Sequence, residues 1–143
     1  IPVIILNSLK AKNIPIYGDG KQIRDWLYVE DHVDAILKIV FNKRYINQRF
    51  NISGNNQVKN IDLVKIICNQ LNRLITSKPN DLKDFKNLIN FVKDRPGHDR
   101  KYILNSKKIK TFLNWKPKYN IDRGMNLTVN WYLKNIKWCQ YKI

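Results

Sequence analysis

The stretch GDGKQIRDWLYVEDH, Gly18 to His32, sets a two-glycine turn beside a lysine, then an arginine ahead of an aromatic run, then a cluster of acids closed by a histidine. Gly18 and Gly20 suggest a dinucleotide fingerprint at first sight. That fingerprint needs a third glycine and a strand–turn–helix order, and here a strand-like run follows the turn, so a tight turn is the better reading. Tyr17 and Lys21 have the spacing of a catalytic tyrosine–lysine pair, but the two glycines between them forbid a shared helix, and the match is coincidental. DWLYV, rich in aromatic and β-branched residues, is predicted as a strand. Asp31 is placed to cap a helix running to about Phe41, with Val33, Ile36, Leu37 and Val40 on one face.

Working outward, helical and extended patterns alternate. Pro2 to about Lys12 carries Val3, Ile4, Ile5 and Leu9 at helical spacing, and KNIPIYGDG then reads as an extended piece ending in the glycine turn. Downstream, RFNIS (49–53) is a second short strand and GNNQVKN a polar loop. Asn60 caps a helix with Leu63, Ile66, Ile67, Leu71 and Leu74 on its apolar face. LINFV (88–92) is strand-like and leads into KDRPGHDRKY, where Pro96 and Gly97 exclude regular helix. SKKIKTFL after Asn105 and a longer segment after Asp122, carrying Met125, Val129, Tyr132, Leu133 and Ile136, are the closing helices. Strands alternating with helices, with no repeat and no long linker, predict an α/β fold, read as a single compact unit over 1–143.

The chain has 143 residues, 43% of them hydrophobic, enough for one domain or part of one. It opens on Ile in mid-pattern, which reads as a fragment. No apolar run reaches the roughly 18 to 20 residues of a membrane span, so a soluble, cytoplasmic protein without a membrane partner is expected. Cys68 and Cys139 stand far apart with only two histidines in the chain, which supports neither a zinc site nor a disulfide framework. Lys plus Arg number 27 against 11 acids, a net charge of +16 that attracts nucleic acids and phosphorylated ligands alike. The lysines are scattered rather than blocked, and the excess of Lys, Asn and Ile fits A/T-rich codon usage, so no specific nucleic acid is expected.

The candidate chemistry is anion binding. Arg24 stands directly before the strand-like run, where a rigid element can aim a guanidinium at a diphosphate, and Arg95 lies in another strand-ending loop, DRPGH. Each alone is as readily a surface ion-pair partner. His98, in a loop fixed by Pro96 and Gly97, reads as a hydrogen-bonding contact rather than a general base, and His32 as a polar residue at a helix start. No nucleophile motif, paired carboxylates or Walker loop is present.

Taken together, PIYGDGKQIRDWLYVEDH, NISGNNQVKNID, DRPGHDRKYILNSKKI and LNWKP resemble, in order and spacing, the C-terminal half of the dTDP-glucose 4,6-dehydratases. These are extended short-chain dehydrogenases/reductases. The resemblance runs from Ile1 to about Trp138, and Trp26, Glu30 and His98 favour the dehydratases over the related UDP-galactose epimerases. It implies the C-terminal, substrate-binding portion of such an enzyme, with the Rossmann-type N-terminal half absent from this sequence. Carried over by position, Arg24 and Arg95 hold the diphosphate, and Pro15, Ile16 and Tyr17 surround the thymine. Asn60 touches substrate, Asp94, Pro96, Gly97 and His98 line the nucleotide pocket, and Ile1, Pro2, Val3 and Ile4 end a substrate-contacting segment. Several of these, Ile1, Val3, Ile4 and Ile16 most of all, also have a packing explanation. The family reaction uses bound NAD to turn a dTDP-sugar into its 4-keto-6-deoxy form, in a homodimer. The NAD fingerprint, the catalytic Tyr and Lys and the acid/base carboxylates belong to the other half, so the isolated chain is expected to bind no NAD and to be inactive. Two further readings stand beside this one: a basic nucleic-acid-binding module, which needs exposed rather than buried Trp26 and Trp115, and a decayed, non-enzymatic remnant.

Overall fold

The computed structural model describes residues 1–140, with the backbone alone at residue 140. Helix α1 (Pro2–Leu9) begins with a proline in its first turn, where the ring's fixed φ suits the helix and the missing N–H has no partner to lose. It turns Ile5 and Leu6 inward. Strand β1 (Ile14–Tyr17) pairs in parallel with β4 (Ile89–Val92), Tyr17 opposite Val92. Helix α3 (Asn60–Leu74) lays Leu63, Val64, Ile67, Cys68 and Leu71 against both, and α5 (Ile121–Lys134) closes the other side with Met125 and Val129. Phe85 and Leu88, from the short 3₁₀ turn that feeds β4, complete this main core. Both cysteines are free and buried, and burial pushes the Cys68 thiol up to about 12, so it is an inert part of the core.

A second sheet sets β2 (Ile23–Asp25) between β3 (Gln57–Lys59), antiparallel, and β5 (Lys101–Tyr102), parallel. Helices α2 (Val29–Val40) and α4 (Lys107–Leu113) enclose a smaller cluster in which Ala35, Ile109 and Trp115 are buried with Phe50 and Ile52 packed on them. Helix α6 (Ile136–Gln140) ends the described chain. No described helix is long and apolar enough to cross a membrane.

Several local expectations are corrected. DWLYV is not a strand beyond Asp25: Asn56 donates from Nδ2 to the Trp26 carbonyl at 3.1 Å, and Gly54 packs so closely there that a Cβ would come within 2.0 Å of that oxygen, leaving no room for a ladder. Helix α2 starts at Val29, so Asp31 lies inside it rather than capping it. Its buried carboxylate accepts instead from the backbone N–H groups of Lys118, at 2.9 Å, and Tyr119, at 3.0 Å. RFNIS forms no strand; Phe50 and Ile52 pack while Ser53 donates its hydroxyl to Asp25. The polar loop GNNQVKN contains β3, because its backbone completes the edge of β2. Asn60 is the first residue of α3, with Lys59 in the cap position and no side-chain cap bond. Helix α5 is capped by Asn120, whose side chain accepts from Arg123 N–H at 2.9 Å, and it stops at Asn135, which places Ile136 in α6. The face of α2 carrying Val33, Ile36, Leu37 and Val40 is exposed, and the helix turns Asp31, Ala35 and Ile39 to the body.

Candidate functional site

The glycine turn after β1, the start of β2 and the loop from Asp94 to Arg100 meet at one place. Gly18, at φ +61°, donates its N–H to the Val92 carbonyl at 2.9 Å, and a Cβ there would lie 2.6 Å from Asp94 Oδ2, so only glycine lets the acid approach. Asp19 accepts from the Lys21 N–H at 2.9 Å and takes a two-pronged ion pair from Arg100 at 2.7 and 2.9 Å. The Arg100 hydrogen bond holds the Asp19 carboxyl down at about 2. This pair clamps the turn to the loop.

Asp94 is the hub of that loop. Its Oδ1 takes the Arg95 N–H at 2.9 Å and lies 2.7 Å from His98 Nδ1, while Oδ2 accepts from Gln22 Nε2 at 2.8 Å. The histidine contact, foremost, keeps the Asp94 carboxyl below the usual carboxylate range. Arg95 then reaches over the Tyr17 ring, 5.1 Å from its centroid, and brings Nη2 within 2.9 Å of His98 Nε2. Arg24 donates from Nη1 to the Ile23 carbonyl at 2.8 Å and from Nη2 to the Asp99 carbonyl at 2.9 Å. The two guanidinium groups are therefore anchored on consecutive residues, His98 and Asp99. Neither has a carboxylate partner among the described residues, whereas neighbouring Arg100 is fully paired. Two guanidinium groups, one from β2 and one from the loop, each anchored on that loop and without a carboxylate partner among the described residues, are equipped to bind an anion with several oxygens.

Of the residues singled out in the sequence, Tyr17, Arg24, Asp94, Arg95, Pro96, Gly97 and His98 converge here. Asn60 joins through its backbone, donating its N–H to the Gln22 carbonyl at 2.9 Å. Pro15 and Ile16 lie on β1, Ile16 buried in the main core. Ile1, Pro2, Val3 and Ile4 do not join by any hydrogen bond. Ile1 instead lines a separate apolar cavity of about 310 Å³ between the start of α1, Trp26–Val29 and α5, and Val3 is exposed. Sequence reasoning missed Gln22, the buried amide that steadies Asp94, and the Asp99 carbonyl that steadies Arg24. Neither carries a local signal, since a polar residue beside a strand is ordinarily solvated and a carbonyl is common to all residues. Trp115 is buried and Trp26 half-buried, the opposite of the exposed stacking surface that single-stranded nucleic acid needs.

A family model described as GDP-mannose 4,6 dehydratase matches residues 1–128. The chain belongs to this dehydratase family. Curated dTDP-glucose 4,6-dehydratases from Escherichia coli and Haemophilus influenzae are each 48% identical to it, over 98% and 94% of the chain. The chain spans only 38% and 40% of those two proteins. Among solved structures, the dTDP-glucose 4,6-dehydratase of Bacillus anthracis in complex with NAD is 39% identical with a TM-score of 0.79, over 96% of this chain and 40% of that one. The Streptomyces venezuelae enzyme, also solved with NAD bound, is 29% identical with a TM-score of 0.82, over 96% of this chain and 39% of that one. The fold is thus the α/β portion of an extended short-chain dehydrogenase/reductase, as the resemblance implied.

NAD is bound in both of those solved structures, but the glycine turn of this chain does not have the order of a dinucleotide-binding turn. The Gly18–Gly20 turn leads into β2 rather than into a helix N-terminus, and the Asp94 carboxylate packs against Gly18.

Proposed function

We propose that this chain is the nucleotide-sugar-binding part of a cytoplasmic dTDP-glucose 4,6-dehydratase, and that it has no dehydratase activity by itself. Arg24 and Arg95 hold the diphosphate of a dTDP-sugar, Tyr17 with Pro15 and Ile16 flanks the thymine, and Asn60, Asp94, Pro96, Gly97 and His98 line the pocket. Ile1 to Ile4 end a segment that reaches the substrate in the longer protein. NAD, the catalytic residues and the homodimer contacts are supplied by the part of the relatives that this chain does not match. What carries the reading is the pair of guanidinium groups anchored on His98 and Asp99 with no carboxylate partner among the described residues. The exposed apolar face of α2, and the segment 49–53 that pairs with no strand among the described residues, support the second half of the proposal: they are where the rest of such an enzyme packs. Residues 1–143 then behave as one compact unit that presents both the binding loop and that seam.

The test is a calorimetric titration with dTDP. A charge-assisted hydrogen bond contributes about 1.5 to 3 kcal/mol, so Arg24→Ala should weaken dTDP binding roughly tenfold or more with the circular dichroism spectrum unchanged. Equal affinity in the folded variant would refute the diphosphate role. Formation of a 4-keto sugar by the chain alone, with NAD added, would refute its inactivity.

A further inference from the structure

His98 is half-buried in a mostly solvent-facing loop, and its side chain is only 6% exposed. Both of its ring nitrogens are engaged, Nδ1 at 2.7 Å from Asp94 Oδ1 and Nε2 at 2.9 Å from Arg95 Nη2. A guanidinium nitrogen can only donate, so Nε2 must offer its lone pair. The ring proton then sits on Nδ1 and is donated to the carboxylate. Asp94 is itself held by the Arg95 N–H and by Gln22, so the imidazole cannot turn without losing its own bonds to this fixed carboxylate and to Arg95. The Arg95 guanidinium also lies over the Tyr17 ring.

We infer that His98 is a positioning residue for Arg95. Locked by Asp94 as the neutral Nδ1–H tautomer, it takes one N–H of the guanidinium and fixes the group on Tyr17, with its other donors left open for phosphate oxygens. The inference rests on the diphosphate role proposed for Arg95 and explains how an exposed arginine is kept ready for it. A free arginine side chain loses much rotamer freedom on binding, and a guanidinium already held at two points leaves less to lose when the ligand arrives. Arg24 is prepared differently, through two backbone carbonyls. The relay from Gln22 through Asp94 and His98 to Arg95 is therefore the part of the site that single substitutions can dismantle.

The experiment combines nitrogen-15 NMR of the His98 ring and the Arg95 guanidinium with dTDP titrations of the 143-residue chain, His98→Phe and His98→Gln. Phenylalanine keeps the bulk but offers no acceptor; glutamine restores a carbonyl acceptor and an amide donor. The expected ring spectrum at pH 7.5 has the proton on Nδ1 and none on Nε2. The Arg95 guanidinium protons are resolved in the parent and averaged by rotation in His98→Phe. Affinity for dTDP falls roughly fivefold or more in His98→Phe, the share expected from freeing one long side chain, and is largely recovered in His98→Gln. A proton on Nε2, an imidazolium, or identical guanidinium signals in parent and His98→Phe would overturn the inference. Undiminished dTDP affinity in His98→Phe would overturn it as well. Should the parent bind no dTDP, the diphosphate role fails, while the ring and guanidinium spectra still decide the relay. If His98→Phe does not fold, the parent tautomer and the behaviour of His98→Gln decide it.

Discussion

Helices α2 and α3 carry apolar residues at the same helical spacing, yet they spend them in opposite directions. Helix α3 buries Leu63, Ile67 and Leu71 to 2%, 0% and 0% exposure. Helix α2 leaves Val33, Ile36, Leu37 and Val40 between 43% and 66% exposed and faces the body with Asp31, Ala35 and Ile39. At 100° per residue, Val29, Val33, Ile36 and Val40 fall in one stripe and Asp31 and Ala35 roughly across the wheel from it. An apolar stripe states that a face is to be covered, but not by what. For α3 the cover is within this chain. For α2 no described residue covers the stripe, and the polar contacts of Asp31 do the work of attachment that apolar burial does in α3.

Matched truncations give the largest expected difference. Leu71→Ala, at a fully buried position in the main core, should lower the unfolding free energy by about 2 to 5 kcal/mol. Leu37→Ala removes the same atoms from a half-exposed position and should change it by no more than about 0.5 kcal/mol. Urea unfolding followed by circular dichroism measures both. Similar losses in the two variants would mean that the α2 face is already covered, and the contrast between the helices would disappear.

Asp31→Ala probes how α2 is held. The carboxylate is 1% exposed and accepts two backbone N–H groups, so its removal strands both donors in the interior. Charged hydrogen bonds of this kind contribute about 1.5 to 3 kcal/mol, and a loss of that size is expected in the same urea experiment. A loss below that range would show that Ala35 and Ile39 suffice to hold the helix, and that α2 differs from α3 in degree only.

The same contrast explains what was legible in the sequence. Helices α1 and α3 and strands β1 and β4 were readable because the groups that cover their apolar residues lie within this chain, in one core. The pattern of 49–53 truly reported half-buried side chains, Phe50 and Ile52, but a ladder also needs a neighbouring strand, and among the described residues there is none beside it. Asp31 looked like a cap because an acid stood at the head of an apolar run. Its partners, Lys118 and Tyr119, are 87 and 88 residues away, beyond the reach of any local pattern. At the site, Arg24 and the DRPGH loop were identifiable because their residue types carry the chemistry. Gln22 and the Asp99 carbonyl were not, because they act by position, and position is fixed only when β2 and β5 pair.

The smallest effect on stability, and the sharpest test of the α2 face, comes from Val33→Lys combined with Val40→Lys. Both side chains lie on the exposed stripe, at 47% and 66% exposure, so neither lysine buries a charge and α-helix is retained on propensity grounds. The unfolding free energy should move by less than about 0.5 kcal/mol. What changes is association. An uncovered apolar stripe continued by Phe41 and Ile46, both well exposed, drives molecules together as concentration rises, and two lysines in the middle of it oppose that by charge and by desolvation. Analytical ultracentrifugation over a concentration series should therefore show the parent chain associating and the double variant remaining monomeric. Association that is unaltered by the two lysines would place the adhesive surface elsewhere, for instance on Trp131 and Trp138, which stack edge to face with 5.5 Å between ring centroids and are both exposed. In that case the stripe on α2 would be an ordinary solvated face, and the seam assigned to it would have to be given up even if dTDP binding by Arg24 and Arg95 held.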